Sequence, residues 1–243
     1  MVTATNLRKM FDKGAIPLVK VSAPKARFLD GDFGRAVNDA VQAKYGKFGA
    51  ISKIRYADGV VKGSNPFYVT AVNEVISPEG LWTATPADLE RAIDAGVELE
   101  GTYEDSALVL RDEEEPNKYL ARTLAEQIKP KKFPAMVLLK DLRLKEDKES
   151  QYGLSFKLKD GAEVIHAPQL SGENHGKRFS KTDENGLLIF CENGKRTLYT
   201  INSGLSGLCL CGFSGLDSVV EGLDSSSGIG RVVVVSSQSD AKN

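Results

Sequence analysis

The spacing of apolar residues changes character near residue 130, and no other feature of this chain limits its fold as much. Upstream, Phe33, Ala36, Val37, Ala40 and Val41 fall at i, i+3, i+4, i+7 and i+8, behind Asp32 as an N-cap and ahead of Gly46. That spacing predicts a helix over 33–44. Thr85-Pro86-Ala87-Asp88 opens a second helix, with Thr85 capping, Pro86 in the first position and Gly96 as the stop. Residues 117–128 read as a third, and residues 6–11 as a helical turn. Strands are expected at 16–21, 48–56, 60–61, 67–76 and 107–110, with Asp58-Gly59 as a hairpin turn.

Downstream of 130, strands dominate. They are expected at 135–144, 152–159, 162–166, 187–191, 196–201 and 232–235, with Asp160-Gly161 and Asn193-Gly194 as turns. Residues 171–185 read as a polar loop, and 236–243 as a fraying tail. The fold class is therefore α+β: a helix-bearing N-terminal half followed by a β-rich C-terminal half of sandwich or small-barrel type. Lys129-Pro130-Lys131-Lys132-Phe133-Pro134 marks the boundary between an α+β region, 1–129, and a β-rich region, 130–243. A chain of 243 residues accommodates either two domains or two layers of one continuous core.

With 41% hydrophobic and 27% charged residues the chain has the balance of a globular protein that buries a core. No apolar run approaches the ~18–20 residues of a membrane span, and the opening residues lack the apolar stretch of a secretory signal. A cytoplasmic protein without membrane partners is the expectation. Three cysteines suit a reducing compartment.

The net charge of −1 conceals segregation. Residues 1–62 carry 12 Lys+Arg against 5 acids, 63–115 carry 2 against 13, 116–181 carry 14 against 8, and the remainder 4 against 7. Such blocks either present a basic surface to a polyanion or face one another inside the fold.

Catalytic chemistry finds little support in the motifs. Two histidines cannot build a His-rich metal site. Cys209-Leu210-Cys211 places two thiols on one face of a strand, but with Cys191, His166 and His175 it forms no second ligand pair of zinc-site spacing, and two buried small hydrophobes are the simpler reading. Ser203-Gly204-Leu205-Ser206-Gly207 and Gly212-Phe213-Ser214-Gly215 are not followed by helical periodicity, as a nucleophile elbow would be. Phosphate-binding glycine loops are absent, so no nucleotide cofactor is expected. Glu146-Asp147-Lys148, with Asp141 and Glu115, offers at most the makings of a divalent-metal nuclease.

The positive signal is basic residues interleaved with aromatics. Lys44, Tyr45, Lys47, Phe48, Lys53, Arg55, Tyr56 and Lys62 surround the first hairpin signal, and Lys177, Arg178 and Lys181 form a second patch. Ammonium and guanidinium groups neutralise phosphates while aromatic faces stack bases. Sequence alone thus predicts a non-enzymatic nucleic-acid-binding protein, of DNA or single strands, without cofactor or metal. The alternatives are an assembly subunit that oligomerises by charge complementarity between copies, and the nuclease.

Overall fold

The structure, a computed structural model, describes residues 4–17, 25–99, 101–129, 131–212 and 215–236. The chain begins with α1 (Ala4–Asp12), β1 (Ile16–Pro17) and β2 (Lys25–Phe28), then α2 (Gly31–Tyr45), α3 (Gly49–Ser52), β3 (Arg55–Ala57) and β4 (Val60–Lys62). α4 (Pro66–Ile76), β5 (Leu81–Thr83), α5 (Pro86–Asp94), β6 (Tyr103–Leu110) and α6 (Lys118–Ala125) complete the first half. The second half is strands: β7 (Ala135–Leu138), β8 (Leu142–Glu146), β9 (Leu154–Leu158), β10 (Val164–His166), β11 (Arg178–Thr182) and β12 (Leu188–Phe190). They continue through β13 (Arg196–Thr200), β14 (Leu205–Cys211), β15 (Gly215–Ser218), β16 (Gly230–Arg231) and β17 (Val233–Ser236).

The chain is thus mixed α/β, with all six described α-helices before residue 130 and strands after it. Yet the sheets ignore that division. A large sheet runs β10-β7-β6-β14-β15-β13-β11-β12, with β16 also against β6, so a strand from the first half lies at its heart. A smaller sheet, β1-β2-β17-β5, receives its third strand from the far end of the chain. β3–β4 and β8–β9 are separate hairpins.

Two buried clusters flank the large sheet. One joins Phe33, Val37 and Val41 of α2 to Phe67, Val69 and Val72 of α4, and to Leu108 and Leu110 of β6. The other holds Ala107 and Val109 of β6 with Leu208 and Leu210 of β14, Leu198 and Leu216. In the second cluster the buried Arg111 guanidinium donates to Ser206, Thr200 and Ser218 hydroxyls and to the Leu170 carbonyl, at 2.6–3.0 Å. A buried cation is tolerated when its donors are satisfied in this way.

Several local expectations need correction. Residues 67–76 form a helix, α4, because Asn65 caps Tyr68 N at 2.8 Å, Pro66 takes the first position and almost every side chain is buried. A helix buried all round carries no amphipathic stripe, so its β-branched residues look strand-like. The expected strand at 48–56 contains the short helix α3 (Gly49–Ser52), and only Arg55–Ala57 pairs with β4, across the expected Asp58-Gly59 turn. α2 is entered from Asp30, one residue before its first helical residue, not from Asp32. Residues 135–144 are broken by a 3-10 turn at 139–141 into β7 and β8. Part of the expected loop at 171–185 is β11, which inserts between β12 and β13, so Asn193-Gly194 joins strands that do not pair with each other. Thr85 caps α5 as expected, and the structure completes a capping box with Asp88: Thr85 Oγ1 accepts from Asp88 N at 3.2 Å and Asp88 Oδ2 accepts from Thr85 N at 3.0 Å. Most of the expected strand at 16–21, Pro130 at the boundary, Ser214 and the tail from 237 lie outside the described residues.

Candidate functional site

The basic residues singled out from sequence are largely engaged with acids of other blocks. Lys44 Nζ donates to Glu74 Oε2 at 2.6 Å, and the buried Tyr45 hydroxyl donates to the same oxygen at 2.7 Å. Glu74 Oε1 accepts from Leu144 N at 2.7 Å. Burial raises the Glu74 pKa, but these three donors together hold it below the usual carboxylate value. Lys47 pairs with Glu146 at 2.7 Å and lies over the half-buried Phe48 ring. Lys53 pairs with Asp224 and Lys62 with Asp58, while the Arg35 guanidinium sits 4.8 Å from the centre of the Tyr56 ring. Arg55 is exposed on β3. In the second patch, Lys177 donates to Asn174 Oδ1 at 2.6 Å, and Arg178 and Lys181 are exposed on β11. Of the carboxylates named for a nuclease, Asp147 accepts from the Tyr119 hydroxyl at 3.0 Å and caps the β8–β9 turn. Among the described residues, no three His, Cys, Asp or Glu side chains converge as a metal site.

A different site emerges on the large sheet, where β6, β14 and β15 lie side by side. Strict alternation along β6 would put Asp105 on the face of Ala107 and Val109, inside the second core. Register prevents that. Leu208 pairs with Ala107 and Cys209 pairs with Asp105, so Ser106 is an extra residue on β6, a β-bulge. The Ser106 hydroxyl donates to the Leu208 carbonyl at 3.2 Å and fixes the distortion. Asp105 thereby joins the opposite face, in a row with Cys209 and with Asp217 of β15, which is the other cross-strand partner of Cys209. One step along lie Tyr103 and Cys211.

These side chains line a pocket of about 300 Å³ together with Pro66, Gly207, Val220, Gly222, Leu223 and Ser225–Ser227. The segment that closes it is tied to the start of α4. Ser226 Oγ accepts from Ser64 N at 3.1 Å, Asn65 Nδ2 donates to the Asp224 carbonyl at 3.3 Å, and the Tyr103 hydroxyl accepts from Ser227 N at 2.9 Å while donating to the Ser64 carbonyl at 3.1 Å.

Inside, not every polar group is paired off. Asp105 Oδ2 is enclosed without a hydrogen-bond partner. Burial pushes Asp105 up to about 7, with the Asp217 charge adding to the rise and the Ser64 hydroxyl opposing it. Cys209 and Cys211 sulfurs stand 3.5 Å apart, and all three cysteines of the chain are thiols. The hydrogen bond to Cys211, burial and the nearby Asp105 all raise the Cys209 pKa. Such a thiol stays protonated, the reverse of the electropositive setting that activates a cysteine nucleophile.

Glu104, next to Asp105, is on the second-core side with its β14 partner Leu210. Its Oε1 accepts from Thr102 Oγ1 at 2.5 Å, Oε2 has no partner, and burial lifts it to about 8.

The same-face geometry of the two thiols follows from their spacing. Asp105 was absorbed in the acidic run, and its signal is position: an acid inside the apolar strand Tyr103–Leu110 has no solvent-facing place to go. No protein-family model, curated protein or solved structure matches the chain.

Proposed function

We propose that this chain is a binding protein whose ligand carries a positively charged or hydrogen-donating group into the pocket above Asp105. The observation that supports this is the buried Asp105 carboxyl, with one oxygen lacking a hydrogen-bond partner, in the lining of a cavity with room for a small molecule. A buried carboxylate short of one donor costs free energy, and a ligand that supplies the donor recovers it. Phosphate is disfavoured here, since Asp105 and Asp217 would both face it.

The test is a thermal-shift and calorimetric titration of the full chain with small primary amines and guanidines, compared with Asp105→Asn. Ligand at 100 times its Kd stabilises the folded chain by about 2.7 kcal/mol. The native chain is expected to show such a shift and the variant at least a tenfold weaker Kd. Equal binding by both, or stabilisation by anions alone, overturns the reading.

A second reading keeps nucleic acid as the partner, at a different place from the first hairpin. On the face that carries Asp217, the sheet continues to Tyr199, its pairing partner and 42% exposed, and to Thr197, the partner of Arg178. Among the described residues, Lys177, Arg178 and Lys181 have no carboxylate within ion-pair distance, unlike Lys44, Lys47, Lys53 and Lys62. Exposed cations beside an exposed aromatic ring suit a single strand. Fluorescence anisotropy with labelled DNA and RNA at two salt concentrations tests this reading. An Arg178→Glu, Lys181→Glu variant should flatten the salt dependence, and an unchanged titration removes that surface.

A further inference from the structure

Resting on the reading that the pocket takes a positively charged group, we infer that its ligand is a short linear aliphatic diamine, held as the diammonium ion between Asp105 and Asp217.

The lining sets two carboxyls across one row of the sheet. Asp105 of β6 and Asp217 of β15 are the cross-strand partners of Cys209, one on each side of β14, and both line the cavity of about 300 Å³. With strands about 4.8 Å apart, the two acids stand roughly 10 Å from each other at the backbone. The Asp217 charge acts on Asp105, so the pair interacts across the cavity. Among the described residues, none of the lining side chains is basic. One cation beside Asp105 leaves the Asp217 charge unanswered, whereas a dication meets both. Asp217 Oδ1 accepts from Val219 N at 2.8 Å, which anchors this carboxyl on its own turn.

The spacing of the acids selects the spacing of the cations. Ammonium nitrogens that sit about 2.8 Å from each carboxylate, inside the row and above it, are roughly 5–7 Å apart. An extended chain advances about 1.2 Å per bond, so about four to six bonds, or about three to five carbons, span that gap. The surface between the carboxyls suits methylene groups. Cys209 and Cys211 present sulfurs 3.5 Å apart, and a protonated thiol packs as a small hydrophobe. Gly207 on the same face of β14 adds no side chain, and Pro66 and Leu223 supply apolar walls.

Calorimetric titration of the full chain at constant ionic strength tests the assignment. The probes are butylamine, diaminobutane, ethylenediamine and diaminooctane, at a pH above the Asp105 titration and below that of the amines. Diaminobutane is expected to bind at least tenfold more tightly than butylamine, with ethylenediamine and diaminooctane at least fivefold weaker than diaminobutane. Asp217→Asn keeps an acceptor for Val219 N, and its folding is checked by circular dichroism. In that variant diaminobutane should fall to within about twofold of butylamine, the statistical advantage of two equivalent ends, while butylamine stays within about threefold of its native affinity. A diamine advantage that survives Asp217→Asn, equal affinity for diaminobutane and butylamine in the native chain, or affinity independent of diamine length overturns the inference. Failure of the pocket reading is a separate result: butylamine then binds native chain and Asp105→Asn alike.

Discussion

Glu104 and Asp105 are adjacent in sequence and face opposite sides of one sheet by strand alternation, and the bulge at Ser106 decides which of them meets the pocket. Their titration has a predictable sign. Folding raises Glu104 from the ordinary 4.5 to about 8, so the folded state keeps a proton that the unfolded chain releases. Its stabilising contribution is complete below about 4.5 and is lost as pH rises through about 8. Asp105 acts in the same direction between 3.8 and about 7. Between pH 7 and 8 Glu104 dominates the pair, and stability is expected to fall by about 1 kcal/mol in that interval. Urea denaturation of Glu104→Gln over the same interval should show a nearly flat profile. A fall equal to that of the native chain would mean another group titrates. Neither role was legible in the sequence, because a stretch dense in acids does not announce which of them is buried, and a bulge leaves no local composition signal. The Cys209–Cys211 geometry was legible, since a period of two fixes it.

Among the elements, α4 organises the site. Asn65 caps it, and the same side chain donates through Nδ2 to the Ala50 carbonyl and to the Asp224 carbonyl of the pocket's closing segment. Asn65→Ala removes the cap, at about 1 kcal/mol, and two further hydrogen bonds of about 1 kcal/mol each. A loss of about 2–3 kcal/mol in urea unfolding is expected, together with faster amide exchange at 224–227. Normal stability would place the cap elsewhere. Gly207→Ala tests the pocket floor: its methyl would lie 3.3 Å from Pro66 Cγ and 3.7 Å from Asp105 Oδ1. The fold should survive with ligand binding weakened at least tenfold, and unchanged affinity would put the ligand outside this pocket. An element with an amphipathic stripe, α2, and one with a strong cap, α5, were legible from sequence. α4 was not, because its burial comes from both sides and only the fold supplies the second side.

At the scale of the molecule, the charge blocks resolve into contacts between them. Glu90 holds Arg196 through both guanidinium nitrogens at 2.6–2.7 Å, Glu113 holds Lys131 at 2.7 Å, and Glu74 holds Lys44. Acids of the second block thus meet bases of the first, third and fourth. Exposed pairs contribute only about 0–1 kcal/mol each, so the half-buried Arg196–Glu90 pair is the one expected to matter for stability. The concentration of helices before residue 130 was legible; the sheet order was not, because strand pairing between distant segments is written in no window of sequence. A fragment of residues 1–129 would leave β6 without β7 and β14, and β2 and β5 without β17. It is therefore expected to show no cooperative thermal unfolding. A sharp transition in differential scanning calorimetry would show that the first half folds alone.

The place of β17 between β2 and β5 also bears on how the protein is made. Thr83 has left the ribosome's catalytic centre long before Val234, the residue it pairs with, has been joined to the chain. The interval is roughly 150 residues, which at about 5–20 residues per second amounts to about 8–30 s. Throughout it, the facing edges of β2 and β5 have no strand between them, and Ala26 and Leu81 await their cover. A nascent chain of this topology leaves those edges open to pairing with other strands for that interval, and a slower messenger lengthens its exposure to aggregation.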